Sequence, residues 1–564
     1  MKNAPRAVLA GSTNSKDYYD LGAFHRSVTT GSRGAQLWFD RGFIWSYAFN
    51  HEEAVECFQK AVEEDPKCAM AYWGLAYAIG PNYNKQWDAM DAEDQAMSLK
   101  RTHEAVIRAK ERYSGATVTE KALIDAIQFR YPQNTPAKHF KIWNDEYAKA
   151  MRSVYRRFPD DLDVAALYVD SLMNLTPWKL WDLRTGKPAH GAHTLEAKLV
   201  LDKTFKVNAG LQHPGLLHLY IHLMEMSGTP ENALTVADHL RGLVPDSGHL
   251  NHMPSHIDIL CGEYRRAIAS NSDAIRVDEK FVKHRGALNF YTLYRSHNYH
   301  FRIYAAMFSG QSRIALDTVD ELEESIPEEV LRIKSPPMAN YLEHFMSMRV
   351  HVLIRFGRWQ DLKELKLPKD ERLYCMTTAM IHYGKAIASA VNGLMKQAHN
   401  ERTLFQAAME QVPSSRSAFN NKCSDILTIA AAMLDGEISY REGSYDVAFA
   451  SLLKSINLGD SLHYDEPWGW MQPARHAYGA LMLEQGHVKE AAAVYSADLG
   501  FDESLPRALR HMNNVWALHG YHECLVKLGR TAEARIIEPQ LRLALAIADI
   551  PIRSSCLCRL KTLL

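Results

Sequence analysis

Histidine is the residue type most able to do chemistry in this sequence. Of 26 histidines in 564 residues, ten fall between His213 and His300, about a sixth of the length. His218 and His222 stand four apart, as do His252 and His256, and the two pairs are offset by 34 residues. Side chains at i and i+4 share a helix face about 6 Å apart, which is why H-x-x-x-H on a helix suits a metal ion. His249 precedes the second pair, His297 and His300 follow it, and Glu225 and Tyr304 lie on the same predicted helices.

Imidazole ligands suit zinc, copper, iron and nickel, whereas magnesium and calcium need oxygen. A face made of His218, His222 and Glu225 would favour non-haem iron, whereas three or more histidines without a carboxylate favour copper or zinc. The seven ligands His218, His222, His249, His252, His256, His297 and His300 are enough for one ion or two, with copper or iron ranked ahead of zinc. Glu225 would act as ligand or general base, and Tyr304 as a polar or proton-donating neighbour. Crowding six or seven buried imidazoles without an ion would depress their pKa values and strand donors and acceptors. The bland reading of the same residues is a polar groove that grips an acidic peptide. Isolated histidines such as His213, His239 and His284 read as hydrogen-bonded core residues.

The elements that must position these side chains are helices throughout. Helical periodicity is continuous and the alternating β-branched runs of strands are missing. Trp38, Gly42, Trp45, Ala54, Phe58, Ala61 and Pro66 stand at positions 4, 8, 11, 20, 24, 27 and 32 of a 34-residue unit, and this resembles the tetratricopeptide repeat. A turn glycine followed five residues later by alanine recurs at Gly228/Ala233, Gly262/Ala267, Gly310/Ala315, Gly443/Ala448, Gly486/Ala491 and Gly529/Ala534. Pro245 and Pro327 close two of these units, and a degenerate one surrounds Gly357. The stretches near 81–160, 175–212 and 365–425 fit poorly and read as irregular helical pairs or insertions.

The resemblance implies an all-α, right-handed superhelical solenoid of tetratricopeptide and tetratricopeptide-like hairpins. It also implies that positions 2, 5, 9 and 12 of each first helix line one concave groove. Those positions hold His218, His222 and Glu225 in one unit, His249, His252 and His256 in the next, and His297, His300 and Tyr304 in the third. With helices 8–10 Å apart and metal–nitrogen bonds of about 2.0–2.1 Å, an ion bridged between helices is feasible. Pro214 marks a helix start. Pro254 cannot sit deep in a helix, so the next helix is expected to begin near residue 251, with His249 on the preceding loop. The segments YAFNHEEA, YWGLAYAIGPNYN, HMPSHI and SHNYHF further resemble a group of bacterial and fungal tetratricopeptide proteins, a likeness that supplies fold rather than chemistry.

The organisation read from these signals is an N-terminal extension (1–30), helical pairs with insertions (31–212), the histidine-rich units (213–330), further units (331–545) and a tail (546–564). A formal net charge of -1 gives no basic footprint for nucleic acid, and a 47% hydrophobic composition excludes disorder. No apolar stretch is long enough for a signal or membrane span, so a soluble cytoplasmic protein is expected. Eight cysteines are too sparse for a disulfide framework. Cys556 and Cys558 read as two thiols, or as a tail folding back to supply a thiolate or gate the groove. The 175–195 segment, with Trp178 and Trp181, reads as a plug in the solenoid or a lid over the groove. Trp73 and Tyr77 divide between groove wall and core, and His476, His519 and Glu523 join the cluster only if the superhelix closes on itself. P-loop, Rossmann and G-x-S-x-G patterns are missing. The function expected is a metal-dependent enzyme, oxidase or oxygenase in type, acting on a small organic substrate in the groove. The alternatives are a metal-dependent hydrolase or lyase, and a scaffold that binds a protein or peptide partner without catalysis.

Overall fold

The computed structural model describes residues 18–559. Residues 1–17 of the expected N-terminal extension and 560–564 of the tail lie outside the described residues. Antiparallel helical hairpins follow one another along the chain, broken by two short β hairpins. Helices α1 (Arg33–Tyr47) and α2 (His51–Glu64) are started by Ser32 and Asn50, whose side chains accept from Ala35 N and Glu53 N, satisfying amides left over at a helix start. A side chain at Gly42 would meet the Phe58 ring at 2.9 Å, so only glycine lets α1 and α2 pack this closely. Helix α3 (Ala69–Ile79) is buried over nearly its whole circumference, as a helix apolar all round must be.

The repeat frame governs the turns. Gly262, Gly310, Gly357, Gly443, Gly486 and Gly529 all have positive φ, the backbone region glycine enters without penalty. Gly228 does not; a 3-10 turn over Pro230–Ala233 follows it. The 365–425 stretch contains a regular hairpin, Cys375–Val391 with Met395–Glu410. Its turn has Gly393 at positive φ and buried Ala398 five residues later, so the frame extends to a unit that sequence inspection passed over.

Strands β1 (Trp181–Asp182) and β2 (Lys187–Pro188) form the first β hairpin. Four segments then carry the histidines: α4 (Pro214–Met224), α5 (Gly248–His252), α6 (Pro254–Leu260) and, after α7 (Tyr264–Arg285), α8 (Thr292–Phe308). The expected late start of the second histidine helix is corrected: Ser247 caps α5 by accepting from Leu250 N, and His249 lies inside the first turn. Met253 keeps helical angles between α5 and α6, so Pro254 starts a second segment where its missing N–H costs little. Strands β3 (Ser417–Ala418) and β4 (Asn421–Lys422) make the other hairpin.

The solenoid closes on itself. Tyr264 Oη donates to Met512 O at 2.9 Å, and Arg507 Nη2 to Leu260 O at 2.8 Å. The 461–473 loop reaches across, with Tyr464 and Trp468 in the core of the N-terminal half and Trp470 and Met471 in that of the C-terminal half. The tail also folds back, but Cys556 and Cys558 are joined as a disulfide, their Cα atoms 5.2 Å apart. That separation suits a bond and corrects the expectation of two thiols; the tail supplies no thiolate to the histidines. Arg355 Nη1 donates to Ser555 O and Leu557 packs on Gly357. No helix among the described residues is long and apolar enough to cross a membrane.

Candidate metal centre

Helix α4 is placed by its own cap and by a glycine. His213 accepts from Leu216 N at 3.2 Å, and a side chain at Gly215 would collide with the Tyr47 ring at 2.5 Å, so α4 can lie against the end of α1. There the His218 Nδ1 donates to Tyr47 O at 2.6 Å. The turn after α1 holds Phe49 at φ 54°, an uncommon conformation for a large side chain. It sets the Phe49 ring 4.4 Å from that of His218, 5.7 Å from His222 and 5.6 Å from His249.

The imidazoles then meet. His218 Nε2 lies 3.2 Å from His249 Nε2, and His252 Nε2 lies 2.7 Å from His256 Nε2. The ring of His297 on α8 is 4.7 Å from that of His252. Glu225, at the end of α4 and fully buried, accepts from His222 Nδ1 at 2.9 Å and His256 Nδ1 at 2.7 Å. Three sets of potential ligand atoms lie within 4.8 Å of one another: His218, His222 and His249; His252, His256 and His297; and His222, Glu225 and His256. Glu225 thus groups with histidines of two helices rather than with His218 and His222 as the sequence suggested, because it reaches toward α6.

The network assigns tautomers. A carbonyl accepts from His218 Nδ1, a carboxylate from His222 Nδ1, and Asn271 Oδ1 from His252 Nδ1 at 2.6 Å. Asn271 Nδ2 is itself committed to Ala267 O and Ser255 Oγ. The Nε2 atoms of these three rings therefore carry lone pairs. His222 Nε2, His249 Nδ1 and His297 Nδ1 are buried with no hydrogen-bond partner among the described residues. Burial pulls His218 down to about 3, and His222, His249, His252 and His297 lie well below the usual imidazole range through burial and then each other's charge. His256 is the exception: burial disfavours its charge, but Glu466 and Glu225 raise it. Glu225 is raised in turn by burial and by Glu466.

Glu466 was invisible to pattern reading. It comes from the 461–473 loop, meets His256 Nδ1 and accepts from Tyr464 Oη. Its one sequence signal is the paired acids of YDEPW within an otherwise apolar, aromatic stretch. Two expected members are elsewhere. His300 turns to Met471 Sδ, 2.8 Å from its Nε2, with the Phe419 ring standing between His297 and His300. Tyr304 packs on Phe308, its ionisation opposed by burial and by Asp498 rather than by the histidines. Both share a face of α8 with His297 but stand further along its axis, where Met471 and Phe308 are their neighbours. Asp258 is held by Arg241, Trp73 and Tyr77 stack in the core, and His476 bonds Asp498.

Aromatic rings wall the centre. Tyr83, of the GPNYN turn, and Trp178 lie 5.1 and 5.8 Å from His222, and Trp181 Nε1 donates to Leu223 O at 2.6 Å. The 175–195 loop therefore covers the end of α4. Two cavities reach this wall, one of about 470 Å³ against Phe49 and Tyr294, the other of about 690 Å³ against Trp178 and Tyr464.

Residues 35–68 match the tetratricopeptide repeat family. No curated protein matches the chain. Similar solved structures include the APC/C hetero-tetramer Cut9-Hcn1 (14% identity, 86% of this chain and 77% of that one, TM-score 0.31). Others are Naa15/Naa10 bound to HypK-THB (11%, 91% and 70%, 0.22) and yeast Tom70 (11%, 90% and 92%, 0.27). Residues 35–68 thus carry one tetratricopeptide repeat, and helical hairpins turned at positive-φ glycines recur further along the chain.

Proposed function

We propose that this chain is a tetratricopeptide scaffold, the interaction role its fold class supports, in which the closed groove has been given over to a transition-metal centre. The observation that carries the reading is the donor balance: His222 Nε2, its lone pair fixed by the Nδ1 bond to Glu225, has no partner in a site 1% exposed. A cation supplies what protons cannot supply to every one of these lone pairs. With imidazole predominating, copper ranks first, then iron and zinc. The bound ion would supply Lewis-acid or redox chemistry. The chain's own residues orient the imidazoles through Tyr47, Asn271 and Glu225, exclude water with Phe49, Tyr83 and Trp178, and hold a proton on the His256–Glu225–Glu466 group. The use that fits is oxidation of a small organic molecule approaching through one of the two bordering cavities.

A scaffold without metal is the second reading, favoured by the family match. A peptide would then bind away from the histidines, since that part of the groove is filled. Elemental analysis of untagged protein separates the two. Stoichiometric copper, iron or zinc, reduced in His218→Ala/His222→Ala, is expected; no bound transition metal, with that variant unchanged in behaviour, would leave the scaffold alone.

A further inference from the structure

We infer that the centre holds two copper ions, one among His218, His222 and His249, the other among His252, His256 and His297. This rests on the metal reading above. The two sets share no residue, and each brings three ligand atoms within 4.8 Å of one another. Each is also braced from behind. Tyr47 O and Glu225 Oε1 hold the Nδ1 atoms of His218 and His222, while Asn271 Oδ1 and Glu225 Oε2 hold those of His252 and His256. An outer acceptor on the far nitrogen is how ligating histidines are ordinarily oriented, and here the braces come in two matched pairs that meet on one carboxylate.

One ion leaves the site unbalanced wherever it sits. In the first set it leaves His297 Nδ1 buried without a partner. In the second it leaves His222 Nε2 without a partner in a dry interior. Between His222, Glu225 and His256 it would compete for the Nδ1 atoms that now donate to Glu225, and it would touch neither His218 nor His297.

Ligand type selects the ion. Each of the two sets offers three imidazoles and no carboxylate, a donor set that copper accepts readily.

The test is anaerobic titration of the metal-free full chain with cuprous ion against a chromophoric copper chelator, followed by copper-to-protein ratios after desalting. Two ions per chain are expected in the native protein, one in His222→Ala, one in His297→Ala and none in the double variant. If alanine prevents folding, judged by circular dichroism of the metal-free variants, His249→Gln and His252→Gln replace them with the same expected counts. One ion per chain, lost in every single variant, would overturn the two-ion inference and leave the metal reading standing. Two zinc ions taken up with no cuprous binding would overturn the choice of ion. No metal bound by the native chain would remove both.

Discussion

His476 is as deeply buried as His222, each 1% exposed, yet their surroundings differ in kind. The Asp498 carboxylate gathers His476 Nε2 at 2.9 Å, His511 Nδ1 at 2.8 Å and Asn514 Nδ2 at 3.0 Å, while its backbone carbonyl accepts from the His511 amide at 2.6 Å. On the other side His476 Nδ1 accepts from Arg355 Nη2 at 3.1 Å. Every donor there has an acceptor. Around His222, by contrast, nitrogens face nitrogens and several have nothing. Burial of a histidine therefore says little by itself; the count of donors against acceptors separates a saturated network from one with nitrogens left over.

The sharpest way to break this contrast is Asp498→Ala, which strands buried donors. It should cost about 3–5 kcal/mol, read as a lowered denaturant midpoint at unchanged m-value; a loss under 1 kcal/mol would mean that the network is not structural. Copper at about a hundredfold over its dissociation constant should raise unfolding free energy by about 2.7 kcal/mol for each site filled. In His218→Ala/His222→Ala only the gain from the His252, His256 and His297 set should remain, and thermal melts with and without copper decide. In metal-free protein, His222→Leu deprives Glu225 of one donor but also removes an unpaired buried nitrogen, so the two partly cancel and the loss should stay below about 1 kcal/mol. The matched His476→Leu should cost about 1–3 kcal/mol by leaving Asp498 short of a donor. Equal losses would erase the distinction.

The smallest effect is in pH. Burial pulls His476 down to about 4, against attraction from Asp498, and burial pulls His351 down to about 3. Both fold neutral, so their contribution is complete above about pH 6.5 and declines as acid moves toward those values, since the unfolded chain binds the protons. Asp498 is held well below the usual carboxylate range, burial being outweighed by His476 and His511. Its share is present above about pH 4 and fades only below. Unfolding of Asp498→Asn across pH 3–7 should keep the upper decline and lose the lower.

Much of this was legible beforehand for a physical reason: a 34-residue period fixes both the turn and the face. His218, His222, His249, His252, His256 and His297 come together because the frame puts them on successive inner faces. What the frame could not reveal depends on small rotations and on closure. His300 and Tyr304 lie far enough along α8 to meet other neighbours, and Glu466 arrives through contacts more than 200 residues distant in sequence. Gly393 and Ala398 obeyed the rule and were overlooked because flanking residues differ. The Cys556–Cys558 bond depends on how the tail bends, which spacing does not encode.

The crossing of the 461–473 loop gives the molecule an order in time. Ribosomes emit the helices bearing the imidazoles before Glu466, and at roughly 5–20 residues per second the interval is about ten to thirty seconds. During that interval the nascent chain presents its histidine wall without the covering segment. Once the loop emerges, Glu466 meets His256 and the flanking aromatic side chains pack into the cores of both halves.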